Sequence, residues 1–350
     1  MQVEDWRFLN LNLIQLEKLH GLEEALARSK KFKPTVIFWR ASKPVLTMGY
    51  FTKVEEKLNL KKCWEYGIKF VRRITGGSVG PLDPNIFSYS LIVEEKNPVI
   101  PESIEESYSL ICGCLVDALK KIGLKADLSN LSDVLIDGKK VSGSAQARVW
   151  GKIIQHGFVY LDLDLETFKS LLNMEKLKEK ILSLDKRVTW VNRELKKIGK
   201  KPLTFEEFKP YVEKAFVKNL NINFRDEPLT IYERKKANFY SKKFFMDDWN
   251  FNPNLHKIAN VRFSFKTGKN LINISAYLEN KTIKEILITS NFYPEKFFEL
   301  SQNLKNVPAD EKSIKPIVCK FFEENGLNRL NNVTVDAIVK VIMKALDSKQ

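Results

Sequence analysis

The sequence predicts a mixed α+β fold, with a largely antiparallel sheet and packed helices, followed by a small α+β accessory domain. Three observations carry this expectation. Short apolar runs rich in β-branched and aromatic residues recur through the first half of the chain. They do not alternate one for one with helical segments, as a doubly wound parallel sheet requires. An Asp-Gly pair at Asp137 and Gly138 joins two of the runs as a tight hairpin.

Taken in order, the chain opens with MQVEDWRFLNLNLIQLEKLHGLEEAL, whose apolar residues are spaced as on a helix and whose acids come early, which speaks against a signal peptide or membrane span. Leu16, Leu19, Leu22 and Leu26 mark a first helix over 16–29. TVIFWR and PVLTMGYF read as strands, the second entering a glycine turn. VEEKLNLKKCWEYG reads as a helix stopped by Gly67, and IKFVRR as the strand that follows. IFSYSLIVE is a further strand, and SIEESYSLICGCLVDALKKIGL a long amphipathic helix with Ser103 and Glu106 in capping-box spacing. The stretch VLIDGKKVSGSAQARVWGKIIQHGFVYLDL reads as hairpin strands. Beyond Leu165 the chain turns helical and lysine-rich, ending in a helix over 205–220 and a polar connection, NINFRDEPLT. The domain boundary is expected between Asn221 and Asp248, assigned as 1–240 and 241–350. The second domain shows three strand-like runs separated by Thr-Gly-Lys-Asn and Glu-Asn-Lys turns, then two closing helices.

Composition narrows the function classes. A chain of 350 residues, 44% hydrophobic, has material for a large core and two domains. The net charge of +15 is spread in short lysine clusters among 43 acids, so it reads as a solvated basic surface and not as a nucleic-acid footprint. Such a field favours anionic nucleotides and acidic partner proteins. Cys63, Cys112, Cys114 and Cys319 form no C-x-x-C pair, which speaks against zinc and disulfides and for reduced, buried thiols. A cytoplasmic location without a membrane partner is the default expectation.

Two segments about sixty residues apart carry the chemistry. RRITGGSVGPLD, 72–83, runs Arg72 and Arg73 into Thr75, Gly76, Gly77 and Ser78, a backbone suited to passing close to an anion. DGKKVSGSAQARVWGKIIQHG, 137–157, sets Lys140 beside the small residues Ser142, Gly143, Ser144 and Ala145. A lysine over such a floor can hold positive charge against a carbonyl or phosphate oxygen. Strand alternation turns Arg72 and Arg73 to opposite faces, so only one of them faces a ligand.

In order and content these motifs, with Gln-His-Gly entering the next strand at His156, resemble the lipoate-protein ligase family, which belongs with biotin ligases and octanoyltransferases. Trp249 and Asn250, the short meander and the terminal helices look like the accessory domain of its two-domain members. The resemblance implies an ATP-dependent reaction with lipoate as substrate. The lipoate carboxylate attacks the α-phosphorus of ATP, with Mg2+ offsetting phosphate charge, and a lysine of an apo lipoyl domain of a 2-oxoacid dehydrogenase, or of the glycine-cleavage carrier protein, then takes the acyl group from the adenylate. Lys140 matches the essential lysine. The glycine loop is implied to wrap the acyl chain and adenylate, and His156 to line the site. Asp133 matches the acidic member of an Asn-Asp pair whose Asn is here Ser132, and Asp83 is retained after a loop in which Ser78, Val79, Gly80, Pro81 and Leu82 depart from the family's Gly-Gly-Gly-Ala-Val-x-His. Arg187, Val188 and Thr189 match an Arg-Val-Thr-Asn stretch that ends here in Trp190. No metal ligand is assigned, and His20 and His256 give no signal. The alternatives are octanoyl or lipoyl transfer through an enzyme cysteine, for which the stretch LKADLSNLSD, 124–133, holds no cysteine, and a non-catalytic homologue that binds lipoyl groups or nucleotides.

Overall fold

Alternation of Leu9, Asn10, Leu11, Asn12 and Leu13 is a period-two pattern, and in the computed structural model, which describes residues 3–267, 270–290, 294–327 and 334–347, it forms a strand, β1 (Glu4–Ile14), where a helical spacing had been expected. The chain divides into two compact units, Met1–Asn59 with Ile68–Phe245, and Leu60–Gly67 with Met246–Gln350.

The first unit continues with α1 (Leu16–Ala27), β2 (Thr35–Ala41), β3 (Val45–Met48) and α2 (Val54–Lys57). The segment 54–67 is not one helix: Leu58 leaves helical geometry to bridge Leu172, and α3 (Leu60–Glu65) belongs to the second unit. Then come β4 (Lys69–Arg72), β5 (Val79–Leu82), β6 (Ile86–Glu94), α4 (Ile104–Lys121), β7 (Ala126–Ser129), β8 (Asp133–Ile136), β9 (Lys139–Val149) and β10 (Lys152–Tyr160). Four short helices follow, α5 (Leu165–Ser170), α6 (Met174–Leu182), α7 (Leu184–Arg187) and α8 (Val191–Lys197), and the unit closes with α9 (Phe205–Leu220), β11 (Ile222–Asp226) and α10 (Ile231–Phe244).

The main sheet has the order β11-β1-β2-β6-β10-β9-β8-β7. Its β11-β1 and β1-β2 pairs are parallel and the rest antiparallel. The expected polar connection after α9 is therefore an edge strand; its apolar content is low because only Ile222 is fully buried. Asp137 and Gly138 both take positive φ, 46° and 76°, as a tight hairpin turn requires. β4, β3 and β5 make a second, three-stranded sheet, so the departing loop residues 79–82 are a strand antiparallel to β3.

One face of the main sheet packs on α4 and α9 through Trp6, Phe38, Phe87, Tyr89, Leu115 and Phe216. The other receives α1, which α10 in turn covers. Ser103 caps α4 by accepting from the Glu106 amide at 3.3 Å, but its hydroxyl donates to Glu105, so the box closes on one side only. Full boxes sit at Thr204 with Glu207 and Thr230 with Glu233. Glu233 also accepts from Nη1 of buried Arg7 on both carboxylate oxygens, at 2.8 and 3.0 Å, tying α10 to β1.

The second unit contains α11 (Asp247–Phe251), α12 (Pro253–Ile258), β12 (Val261–Thr267), β13 (Asn270–Glu279), β14 (Thr282–Ser290), α13 (Pro294–Asn303), β15 (Val307–Pro308), α14 (Glu311–Glu324) and α15 (Val335–Asp347). The four strands form an antiparallel sheet around the core of Ile274, Ile288, Leu300, Val318 and Ile342. The expected Thr-Gly-Lys-Asn turn falls on 268–269, outside the described residues. The Glu-Asn-Lys turn is present, with Asn280 and Lys281 both left-handed. His256, expected in a loop, lies on α12 and bonds Asp248 at 2.8 Å.

Candidate functional site

Register alone aligns a row of residues across five strands. Asp133 on β8 faces Gly143 on β9, Gly143 faces Phe158 on β10, Phe158 faces Ser88 on β6, and Ser88 faces Trp39 on β2. Neighbours in such a row project from the same face of a sheet, and this is the face toward α1. A cavity of about 380 Å³ lies along it, within the range of small-molecule sites. Leu16, His20, Trp39, Phe158, Leu172 and Ile181 are among its apolar and aromatic walls, and Lys57, Arg73, Lys140, Lys180 and Arg187 are its cations. Asp133 is its single carboxylate among the described residues.

Lys140 reaches the cavity through a β-bulge. Val134 pairs with Ser142 and Leu135 with Lys140, so Val141 is an extra residue in β9. Val141 points into the core, and Ser142 is fully buried off the cavity wall. As a result Lys140 and Gly143, three positions apart, share one face, which strict alternation forbids. A Cβ on Gly143 would lie 2.9 Å from both Cε and Nζ of Lys140, so the ammonium rests on bare backbone. Its Nζ is 2.7 Å from Asp133 Oδ1, and both side chains remain partly exposed. Thr189 N–H donates to the Lys140 carbonyl at 2.9 Å, anchoring the strand from the Arg187-Val188-Thr189 stretch.

A buried acid organises the opposite wall. Glu23 on α1 is fully buried and accepts three hydrogen bonds, from Ser90 Oγ at 2.6 Å, His156 Nδ1 at 2.9 Å and His20 Nδ1 at 2.7 Å. Burial opposes its ionisation, but the two histidines outweigh it and hold the carboxyl well below its ordinary range. His156 Nε2 lies 2.8 Å from Thr75 Oγ1, which accepts from Arg73 Nε at 3.0 Å. Arg73 then donates to Thr47 Oγ1 and, at 2.6 Å, to the Gly76 carbonyl. A chain of polar contacts thus runs from Glu23 to the glycine loop. Desolvation lowers the Arg73 guanidinium to about 10, which leaves it charged at neutral pH. The three groups His20, Glu23 and His156 bring ligand atoms within 4.8 Å of one another, yet their hydrogens already satisfy the carboxylate.

The two arginines divide as alternation requires. Arg73 lines the cavity, while Arg72 does not reach it: its Nη1 donates to the carbonyls of Gly49, Tyr50 and Thr52 and so pins the loop after β3. Gly77, with φ of 94°, and Ser78 line the cavity with Asp133, Lys140, Gly143, Ser144, Ala145 and His156. Thr75, Gly76, Asp83 and Ser142, expected to contact ligand, are off its wall. Thr75 and Gly76 are held by Arg73. Asp83 caps a turn at the Asn85 amide, and burial raises its carboxyl. Sequence reasoning missed Glu23, His20, Lys57 and Lys180. The lysines are indistinguishable from many others in the chain, but the pairing of His20 with Glu23 one turn on, beside Leu16 and Leu19, was a polar intrusion on an apolar helix face.

The cysteines lie elsewhere. Cys112 on α4 sits behind the small-residue floor, 3.5 Å from Ser144 Oγ, and burial pushes its thiol up to about 11. Cys63 is pushed up to about 12 and Cys114 further still, again by burial.

The model of the Lipoyl protein ligase A/B catalytic domain matches residues 18–217. Octanoyltransferase LipM of Geobacillus kaustophilus is 33% identical over 281 residues, covering 72% of this chain and 99% of that protein. LipM of Bacillus subtilis is 28% identical over 280 residues with the same coverage. Among solved structures, the bi-partite lipoate protein ligase of Thermoplasma acidophilum, described with its E2 lipoyl domain, aligns with a TM-score of 0.63 at 26% identity, over 71% of this chain and 97% of that one. P. falciparum LipL1 in complex with lipoate shares the fold over 97% of this chain and 99% of its own, with a TM-score of 0.56 at 17% identity. With the matched domain holding most of the main sheet, the lysine floor and most of the cavity wall, this chain belongs to the lipoyl protein ligase A/B family of acyl-transferring enzymes.

Proposed function

We propose that this protein is an ATP-dependent lipoate-protein ligase, which converts lipoate to an acyl-adenylate and passes the acyl group to a lysine of an apo lipoyl domain or a glycine-cleavage carrier protein. The observation that carries the reading is the contrast between Lys140 and the thiols. Transfer through an enzyme thioester needs a thiolate at the reacting carbonyl. Here burial pushes the Cys63 and Cys112 thiols up to about 12 and 11, while Lys140 rests on the open floor of the cavity. Positioned charge and exclusion of water suffice for attack on a preactivated mixed anhydride.

The geometry supports the following roles. The side chains of Phe158 and Trp39 take the acyl chain, leaving its carboxylate beside Lys140. Asp133 fixes the Lys140 ammonium until an acyl or phosphate oxygen competes for it. Lys57, Lys180 and Arg187 meet phosphate charge, since Arg73 is committed to shaping the loop. Mg2+ takes one or two carboxylates with substrate phosphates, and Asp133, with the Ser132 hydroxyl beside it, fits that demand; when bound, the cation offsets phosphate charge. The sequence relatives favour a second reading, octanoyl transfer. The two separate in one experiment, mass spectrometry of an apo lipoyl domain after incubation with lipoate, with and without ATP. A mass gain that requires ATP, survives Cys112→Ala and falls at least about 100-fold in Lys140→Ala supports the ligase. ATP-independent gain from an octanoyl thioester donor, lost on removal of a cysteine, overturns it.

A further inference from the structure

His20 is the polar feature of the cavity that the reaction as described leaves unused. Its ring is 2% exposed, lines the cavity next to Leu16 and Trp39, and stands 5.6 Å from the His156 ring. Nδ1 is spent on Glu23, at 2.7 Å. Nε2 is buried, and among the described residues no donor or acceptor reaches it. The proton on Nδ1 faces a carboxylate, and burial pushes this histidine below its ordinary 6.5, so the ring is neutral and Nε2 is a lone pair.

The location of that lone pair follows from the sheet. Lys140 lies on β9 and Trp39 on β2, with β10 and β6 between them. Three strand spacings amount to about 14 Å between backbones, and the side chains of Lys140 and Trp39, both on the cavity wall, narrow that gap toward the length of an extended medium-chain acyl group. A carboxylate held at Lys140 therefore brings the far end of its chain to the wall made by Leu16, His20 and Trp39. An all-hydrocarbon tip there leaves Nε2 unmatched, and a buried acceptor without a donor is costly. A tip that carries an S–H or O–H donor satisfies it.

Resting on the reading that this cavity takes the acyl group, we propose that His20 is a specificity-determining residue whose Nε2 accepts a hydrogen bond from the far end of the chain, so that the site selects medium-chain acids tipped with a donor, the dithiol form of lipoate among them, over octanoate. Discrimination of this kind is stronger than a hydrophobic pocket achieves by shape, because the penalty falls on the site's own buried polar group.

The test is calorimetric titration of the full chain, without ATP or acceptor, by octanoate, ω-hydroxyoctanoate and dihydrolipoate, repeated on His20→Leu. The expected result is a preference of roughly tenfold or more for the two donor-tipped acids in the wild type, falling to near parity in the variant. Equal or tighter binding of octanoate by the wild type overturns the proposal, as does a preference that survives in His20→Leu. Should that variant fail to fold, the wild-type series decides alone. Discrimination in binding without any ATP-dependent mass gain sinks the ligase reading and leaves His20 its role. Mass gain without discrimination does the reverse, and failure of all three acids to bind overturns both.

Discussion

At the scale of the residue, Glu23 concentrates the consequences. It is a buried carboxylate with three donors, Ser90 and His156 on Oε1 and His20 on Oε2, and a carboxamide in its place keeps one acceptor oxygen and sets an NH2 group against a donor. Glu23→Gln is expected to lower stability by about 1–3 kcal/mol, measured by denaturant unfolding. The pH dependence follows the same group. Glu23 has a folded pKa below its ordinary 4.5, so its contribution is complete above that value and is lost as the pH falls past it. His20 has a folded pKa below its ordinary 6.5, so the unfolded chain takes up a proton first as the pH drops, and stability again decreases on the acid side. Both act in one direction. Melting temperature is expected to be level above about pH 6.5 and to fall below it, and His20→Phe is expected to remove the earlier part of that fall. A melting temperature that rises on acidification would contradict the assignment. Lys140 and its small-residue floor were legible in the sequence because a motif fixes them, whereas Glu23 was not: its meaning lies in contacts with residues 67 and 133 positions away, and local pattern carries no trace of those.

At the scale of the element, the loops are held by close backbone approach. A Cβ on Gly49 would fall 1.9 Å from the Gly77 carbonyl oxygen, so the turn after β3 and the glycine loop touch through main chain. Gly49→Ala is expected to cost about 1–3 kcal/mol and to weaken acyl-acid binding, read by unfolding and by calorimetry; an unchanged affinity would separate this contact from the site. The elements that sequence reasoning recovered best are those with a sustained period or a strong turn, such as α9 and the Asp137-Gly138 hairpin. Those it misread are elements whose local pattern is weak or masked. β11 buries little, β5 contains Gly80 and Pro81, and β1 begins with a run of buried residues that obscures its alternation. In each case pairing with a distant strand, and not local preference, decides the conformation.

At the scale of the whole molecule, the second unit is not simply appended at the C-terminus, because Leu60–Gly67 belongs to it. α3 packs against α13, and Cys63 is 4% exposed. The expected boundary near residue 240 falls inside α10, which packs on α1 and so lies with the first unit. A chain ending at Phe245 is expected to keep the sheet, since relatives are matched over 99% of their length by 72% of this chain. It is also expected to release α3. Maleimide labelling of Cys63 should be slow in the full chain and fast in the shortened one, and equal rates would mean that α3 is held by the first unit after all. Among the described residues no helix is long and apolar enough to cross a membrane.

The extra residue Val141 has a consequence for how this enzyme can change. A strand presents its side chains in two phases, and an insertion of one residue switches phase partway along. Upstream of Val141 the cavity receives Lys140; downstream it receives Gly143 and Ala145. Without the switch, β9 would offer either the cation or its bare floor to the same ligand, never both. The lysine therefore cannot migrate by one position toward the C-terminus through ordinary substitution, because that position, Val141, delivers its side chain to the apolar core. The chemistry is fixed in place by a count of residues as much as by their kind.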